Sequence, residues 1–331
     1  MSSTAAPISH DNPLNLTAAL LTIVNGAFGL VCNSLIVFIF IQSPAERTSF
    51  NLICFVRGLG NCLILGWAFI GTFMPMTLLG DSLFPPMYQS IVITSVTSTY
   101  TGLQYCGVLI AANRFFAMYF PLIYSTVFTV KFTLLQIVVL FGYRFYKIVY
   151  ECNFNFSHNC FSVYSSEALS WIPIQDPVCR LAPSSIIDGT AILLGFLIIM
   201  NLATFIKIYF FYKATEHDEK EVKKRVRRNK ILFLQTVVQD VTYLIDMLFT
   251  YKLSSLIDAR YWTFISGSFV WQSVHSFDGL IMIMFNERLT FLKTSFFPSS
   301  SNPSVVQHIV HSANTHSASP FDNLKELQYN Q

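Results

Sequence analysis

The stretch Thr17–Ile41, TAALLTIVNGAFGLVCNSLIVFIFI, contains no charged residue over its whole length. A helix that crosses the hydrocarbon core of a bilayer needs about 20 mostly apolar residues, and this stretch exceeds that length. Its apolar residues do not alternate with polar ones in the period of two that is typical of a transmembrane strand. Because backbone groups in lipid must form their hydrogen bonds within the segment, the stretch is predicted to be a membrane-spanning helix.

The rest of the chain has the same character. Of its 331 residues, 53% are hydrophobic and 12% are charged, whereas a soluble domain has roughly 25% charged residues. This composition argues against a soluble enzyme, a coiled coil and a disordered chain. Arg144 and Lys147 weaken the fourth predicted span, and Asp240 and Asp246 weaken the sixth. The six spans after the first are predicted at Phe50–Leu79, Met87–Ala112, Phe132–Tyr150, Ile186–Tyr212, Ile231–Thr250 and Trp262–Phe285.

Basic residues are distributed unevenly between the two ends of these spans. With the N-terminus outside, 15 of the 21 Lys and Arg residues lie on the cytoplasmic side and five lie on the outer side. Such an excess is typical of cytoplasmic loops. The two sequons, at Asn15 and Asn155, both fall outside in this orientation, so both are candidate glycosylation sites.

These observations predict an all-α membrane protein with a seven-transmembrane helix bundle. The N-terminus, residues 1–16, is expected to be extracellular, and residues 17–297 form the bundle with a short cytoplasmic helix. The serine-rich residues 298–331 are expected to be a disordered cytoplasmic tail.

The strongest motif closes the third span, where Asn113–Tyr124 reads NRFFAMYFPLIY. It resembles the Asp-Arg-Tyr segment of rhodopsin-like G-protein-coupled receptors, including the Pro-Leu-x-Tyr at the expected distance. The resemblance implies that Arg114 meets a G protein at the cytoplasmic mouth once the helices part. An arginine that snorkels at a helix end is the alternative. The resemblance assigns coupling to Asn113, Arg114, Phe115, Pro121 and Tyr124.

The charged inner loop contains the basic residues Lys223, Lys224 and Arg227. They are predicted to contact the G protein as well. An electrostatic anchor on anionic lipid is the alternative, and the two roles are compatible.

Other positions fall into register with the same family: Asn33, Asn61, Asp278 and Asn286. Gln89 stands where the family usually has a disulfide cysteine, and the sixth span lacks the usual Cys-Trp-x-Pro segment. This combination resembles the nematode serpentine chemoreceptors, most like class x. It implies a short amphipathic cytoplasmic helix that begins near Asn286.

Arg57 lies one helical turn from Asn61 within the second span, and buried charges are costly in a membrane. In the receptor fold the second and seventh helices face each other, so Arg57 is predicted to pair with Asp278. A snorkelling Arg57 is the alternative. The predicted activation switch consists of Asn33, Arg57, Asn61, Asp278 and Asn286.

The outer loop after the fourth span contains Cys152, Cys160 and Cys179. This side of the membrane is oxidising, so one pair is expected to form a disulfide. Three pairings are open.

A ligand is expected to bury apolar surface in the outer half of the bundle. Val96 occupies the position where aminergic receptors carry an aspartate, which argues against an amine bound in that way. Ordinary helix packing is the alternative role for the candidate residues. They are Trp67, Phe73, Thr97, Tyr100, Thr101, Trp271 and Gln272.

The sequence therefore predicts a chemosensory G-protein-coupled receptor in the plasma membrane, in sensory cilia, with no cofactor, bound metal or nucleic-acid partner. A small-molecule or peptide cue, a heterotrimeric G protein and arrestin, recruited by tail serines, are the expected partners. No phosphate loop or hydrolase motif is present, so enzymatic activity is not expected. A peptide receptor of the same fold, a seven-helix ligand-gated cation channel and a small transporter are the alternatives.

Overall fold

The computed structural model describes residues 13–44, 47–173, 179, 185–214 and 220–285. In this part of the chain, seven long helices occupy the places of the seven predicted spans. They are α1 (Pro13–Gln42), α2 (Ser49–Leu79), α3 (Pro86–Tyr119), α4 (Val130–Ser157), α5 (Ser185–Ala214), α6 (Lys220–Leu248) and α7, which runs through Arg260–Thr263, Phe264–Phe269 and Val270–Phe285.

Four helices in the described part of the chain are long and apolar enough to cross a membrane. They are Pro13–Gln42, Ser49–Leu79, Val130–Ser157 and Ile192–Phe210. Their outward faces are strongly apolar, and Val139 on α4, for example, is 64% exposed. Surfaces of this kind are rare on soluble monomers and are expected against lipid.

The helices outside this set carry polar side chains that the bundle buries. On α3 these include Gln104 and Arg114, and on α7 they include His275 and Asp278. Polar groups inside a membrane protein are expected to face its interior. Arg144, which weakened the fourth predicted span, faces α3 and donates from Nε to the carbonyl of Ser98 at 3.1 Å.

Three helices widen into π-type turns, at Ile64–Phe73 in α2, at Phe249–Leu253 after α6 and at Phe264–Phe269 in α7. Each turn lies in the outer half of its helix or directly after it, as the sequence orients the helices. Turns of this type are rare and occur frequently at functional sites.

A two-stranded hairpin follows α4, with β1 (Ser162–Ser165) antiparallel to β2 (Ser170–Pro173). Tyr164 faces Trp171 across the hairpin. The hydroxyl of Tyr164 lies 2.7 Å from Thr77 Oγ1 of α2. Burial raises the pKa of Tyr164 to about 12, so its hydroxyl stays protonated at neutral pH.

Gln89 attaches this hairpin to α3. Its Oε1 accepts the backbone N–H of Tyr164 at 2.8 Å, and its Nε2 donates to the carbonyls of Asp81 and Phe84 at 2.9 and 2.8 Å. Gln89 stands where the resemblance implies a disulfide cysteine. Hydrogen bonds therefore hold the outer loop against α3 at this position.

The disulfide joins Cys160 to Cys179, which selects one of the three open pairings. Cys152 is free and half-buried. The bonded pair lies beside the hairpin, at the end of the bundle where α3 begins.

Asn15, one of the two candidate glycosylation sites, lies in a packed part of the structure. This residue is 6% exposed, and its Nδ2 donates to the carbonyl of Thr77 at 3.2 Å. Its Oδ1 accepts from Arg260 at 2.9 Å. The reason is that α1 begins at Pro13, ahead of the predicted start at Thr17, so Asn15 is part of the packed helix. Asn155 is half-exposed in the last turn of α4.

Candidate functional site

Helices α1 and α7 meet closely around Asn33, which is fully buried. Its Nδ2 donates to the carbonyl of Gly29 on α1 at 2.8 Å and to the carbonyl of His275 on α7 at 3.0 Å. A Cβ atom added at Gly279 would lie 2.6 Å from Nδ2 of Asn33. Because Gly279 has no Cβ, α7 can pack closely against α1 here.

Arg57 and Asp278 form a two-point ion pair at the same level of the bundle. Nη2 of Arg57 lies 2.6 Å from Oδ1 of Asp278, and Nε lies 3.2 Å from Oδ2. The two side chains are 1% and 0% exposed. The contact between the second and seventh helices that the sequence suggested is present, and Arg57 does not snorkel to an interface. Its role as an activation switch stays a prediction.

Amide and hydroxyl groups form further hydrogen bonds to this ion pair. Oδ2 of Asp278 accepts from Asn61 at 2.8 Å, and Oδ1 accepts from Gln239 of α6 at 2.7 Å. Nη2 of Arg57 donates to the hydroxyl of Tyr243 at 3.4 Å. A buried ion pair offsets its desolvation cost only with good geometry and further hydrogen bonds, and both are present here.

Asn61 extends the network to α1 and to His275. Its Nδ2 donates to Oδ1 of Asn33 at 3.0 Å, and its Oδ1 lies 2.8 Å from Nδ1 of His275. The polar cluster of Asn33, Arg57, Asn61, Gln239, Tyr243, His275 and Asp278 thus joins α1, α2, α6 and α7. Gln239 and Tyr243 were missed at the sequence level. Their spacing of four residues, which puts them on one face of α6, is the signal that could have found them.

Arg114 lies near the C-terminal end of α3. It is 8% exposed and donates from Nη1 to the hydroxyl of Thr236 on α6. Its guanidinium lies over the ring of Phe50, 5.0 Å from the centroid. Nδ2 of Asn113 donates to the hydroxyl of Ser49 at 3.2 Å. These contacts hold α2, α3 and α6 together at this end.

Aromatic residues of the Asn113–Tyr124 segment stack on their neighbours. Phe115 stacks on Tyr119 with ring centroids 4.7 Å apart, and Tyr124 stacks on Phe128 at 5.6 Å. Pro121 begins a short helix, Pro121–Val127. The side chains of Lys223, Lys224 and Arg227, and all of Asn286, lie outside the described residues.

The two acids that weakened the sixth predicted span now have positions. Oδ2 of Asp240 accepts from Asn201, which links α6 to α5. Oδ2 of Asp246 accepts from the hydroxyl of Tyr100 at 2.6 Å, which links α6 to α3. Within the described residues, no group of three or more His, Cys, Asp or Glu side chains is placed to hold a metal ion.

Three of the predicted ligand contacts come together in the outer half. Trp271 packs edge-on against Tyr100, with ring centroids 6.2 Å apart, and lies 6.3 Å from Phe73. Trp67 borders the same apolar cluster and donates to the hydroxyl of Tyr88 at 3.1 Å. These aromatic residues form a continuous surface under the hairpin.

The polar ligand candidates behave differently. Gln272 is fully buried, and its Nε2 donates to the carbonyl of Thr22 on α1 at 2.8 Å. In this structure α7 turns the side chain towards α1, and its role as a ligand contact stays a prediction. The hydroxyls of Thr97 and Thr101 donate to carbonyls one turn earlier on α3, at 2.8 and 2.9 Å.

Comparison with known proteins gives two results. A family model described as "Serpentine type 7TM GPCR chemoreceptor Srx" matches residues 23–286, a range that contains both the polar cluster and Arg114. The Caenorhabditis elegans protein "Serpentine receptor class X 45" is 24% identical over 298 residues, which cover 82% of this chain and 79% of that protein.

Proposed function

Because the chain belongs to the class x serpentine receptors, a family of seven-transmembrane G-protein-coupled chemoreceptors, we propose that it binds an environmental chemical cue at its outer end and activates a heterotrimeric G protein at its inner end. The observation that carries the proposal is the contact between Arg114 and Thr236. It ties α3 to α6 at the end where the resemblance places the G protein.

One face of α6 connects the two ends. Thr236 contacts Arg114, Gln239 contacts Asp278, and Asp246 contacts Tyr100 below the aromatic surface. On α6, Gln239 follows Thr236 by three residues and Asp246 follows Gln239 by seven, so the three positions lie along one side of the helix. A ligand that displaces the outer part of α6 would weaken the inner contacts as well, and the receptor would shift towards an open population.

The proposed orientation puts the hairpin end outside the cell and the Arg114 end inside. The Cys160–Cys179 disulfide supports it, because such bonds persist in oxidising compartments. The excess of basic residues at the opposite end supports it independently. We infer a multi-pass protein of the plasma membrane, and the chemosensory family favours sensory cilia. The serine-rich tail at 298–331 supports arrestin binding through its composition alone.

Glycosylation of Asn155 tests the orientation. We expect the receptor expressed in animal cells to run faster on a gel after treatment with an N-glycosidase. Asn155→Gln should abolish that change in mobility, whereas the matched variant Asn15→Gln should leave it intact because Asn15 is buried. Labelling of the N-terminus only after permeabilisation would contradict the orientation.

Replacing Arg114 tests the coupling. In cells that express a promiscuous G protein, a cue found by ligand screening should activate Arg114→Ala at least about tenfold more weakly than wild type. The variant lacks the guanidinium that would bond to the G protein once α6 has moved, and a hydrogen bond to a charged group contributes roughly 1.5–3 kcal/mol. Arg47→Ala changes an exposed arginine whose Nη2 donates to the carbonyl of Ile41 at 3.1 Å, and it serves as the matched control. Surface expression of all variants is measured in parallel.

Two outcomes would contradict this function. An equal response of wild type and Arg114→Ala would remove Arg114 from the coupling step. A ligand-evoked cation current that persists without any G protein would favour the channel alternative. A peptide among the active ligands would leave the fold and the coupling in place and change only the class of cue.

A further inference from the structure

Asp246 lies on α6, one turn nearer the outer end than Tyr243, and is 5% exposed. Its Oδ2 accepts the hydroxyl of Tyr100 at 2.6 Å, whereas Oδ1 has no hydrogen-bond partner within the described residues. The ion pairs in that part of the chain are Arg57–Asp278 and Lys147–Glu151, so Asp246 belongs to neither. A buried carboxylate oxygen is costly to leave without a donor, and most such atoms have one.

A second unpartnered atom lies next to the same tyrosine. Nδ1 of His275 is bonded to Asn61, but Nε2 has no partner among the described residues although the side chain is fully buried. The Tyr100 ring is edge-on to the imidazole, with centroids 5.7 Å apart. A carboxylate oxygen from α6 and an imidazole nitrogen from α7 are therefore both available beside Tyr100 of α3.

Aromatic rings continue from this point to the hairpin. Trp271 packs edge-on against Tyr100 at 6.2 Å and against Phe69 at 5.3 Å. Phe73 packs edge-on against Trp171 of the hairpin, with centroids 4.9 Å apart. Aromatic surfaces attract both other aromatic rings and cations. The acid thus lies at the inner end of an aromatic column.

From this arrangement we propose that Asp246 is the anchor for the ammonium group of an aryl-alkyl amine. The ammonium ion pairs with Oδ1 of Asp246, and the aryl ring packs on Trp271 and Phe73. The anchoring acid comes from α6 and not from the α3 position occupied by Val96, which is fully buried. This inference rests on the proposed function only in placing the cue at the outer end.

The ligand's charge would act directly on the helix that also carries Thr236 and Gln239. Attraction between the ammonium and Asp246 pulls the outer part of α6 towards the ligand. Because the Arg114 and Asp278 contacts lie on the same face of α6, they would respond to that movement. Binding of the ammonium group to Asp246 would therefore promote activation by moving α6.

Three small probes test the subsite on the full-length receptor in lipid nanodiscs without any G protein. They are 2-phenylethylammonium, 2-phenylethanol and 3-phenylpropanoate, which share an aryl ring and differ in the charge at the other end. We expect the ammonium compound alone to raise the thermal unfolding temperature of the wild type. For Asp246→Asn its half-saturating concentration should rise at least about tenfold, the factor that corresponds to one lost charge-assisted hydrogen bond.

A control variant sharpens the test. Asp258→Asn changes an exposed acid near the outer end of α7, and it should leave the shift with the ammonium probe unchanged. If Asp246→Asn does not fold, the comparison of the three probes on the wild type can still overturn the proposal.

The proposal is overturned by the absence of a shift with the ammonium probe, by an equal shift with the alcohol or the carboxylate, or by an equal shift in Asp246→Asn. None of these results would count against the proposed receptor function. That function would still be supported by a neutral or peptide ligand whose G-protein response requires Arg114.

Discussion

Asp278→Ala should lower the stability of the receptor by about 3–5 kcal/mol and largely prevent it from reaching the cell surface. The variant leaves the guanidinium of Arg57, which is 1% exposed, without its carboxylate in the middle of the bundle. Arg57→Ala should have an effect of the same order, because Asp278 then becomes the unpaired charge. Surface immunolabelling and thermal unfolding of the solubilised receptor measure both variants.

A matched control and a rescue separate this effect from general damage. Lys147→Ala breaks the Lys147–Glu151 pair, whose atoms are 3.7 Å apart and whose side chains are 32% and 40% exposed. A pair of this kind contributes less than about 1 kcal/mol, so surface expression should hardly change. The double reversal Arg57→Asp with Asp278→Arg should recover part of the expression or signalling. Failure of the reversal to improve on either single variant would argue against the pairing as a restraint.

Gly279→Ala is expected to be strongly destabilising although it adds a single methyl group. Its Cβ would lie 2.6 Å from Nδ2 of Asn33 and 2.9 Å from the backbone nitrogen of Asn33. The backbone atom cannot move aside without separating α1 from α7, so the cost should be about 1–3 kcal/mol or more. The measurement is again the unfolding temperature and the surface level.

Gly142→Ala provides the contrast to Gly279→Ala. Gly142 lies on α4, and nothing lies within 4 Å of the Cβ that the change would add. Alanine is favoured over glycine in a helix by roughly 1 kcal/mol, so this variant should be as stable as wild type or more stable. Equal losses in the two variants would show that steric contact at Asn33 is not the cause.

The seven helices could be predicted from the sequence because the length and polarity of each segment are local properties. The Arg57–Asp278 contact could be anticipated only through the family's register, since the two residues are 221 positions apart. Gln239 carries no charge and matches no motif, so its bond to Asp278 was not foreseen. The choice between cysteine pairings likewise depends on where the loop folds.

Two predicted site residues have side-chain positions that the sequence does not fix. Gln272 lies on the predicted helix, but it faces α1 instead of the aromatic surface. Asn15 belongs to a sequon, but α1 begins early enough to bury it against Thr77. In both cases the rotation or the start of a helix decided the outcome, and neither is determined by a hydropathy pattern.

The attachment of the hairpin through Gln89 has a consequence for chemistry outside the cell. The Cys160–Cys179 bridge spans 19 residues and closes a ring within the loop itself. A thiol reductant that opens this ring would loosen the loop, yet the hydrogen bond from the backbone N–H of Tyr164 to Gln89 would still hold the hairpin against α3. The contact between the hairpin and α3 at Gln89 therefore does not depend on the disulfide.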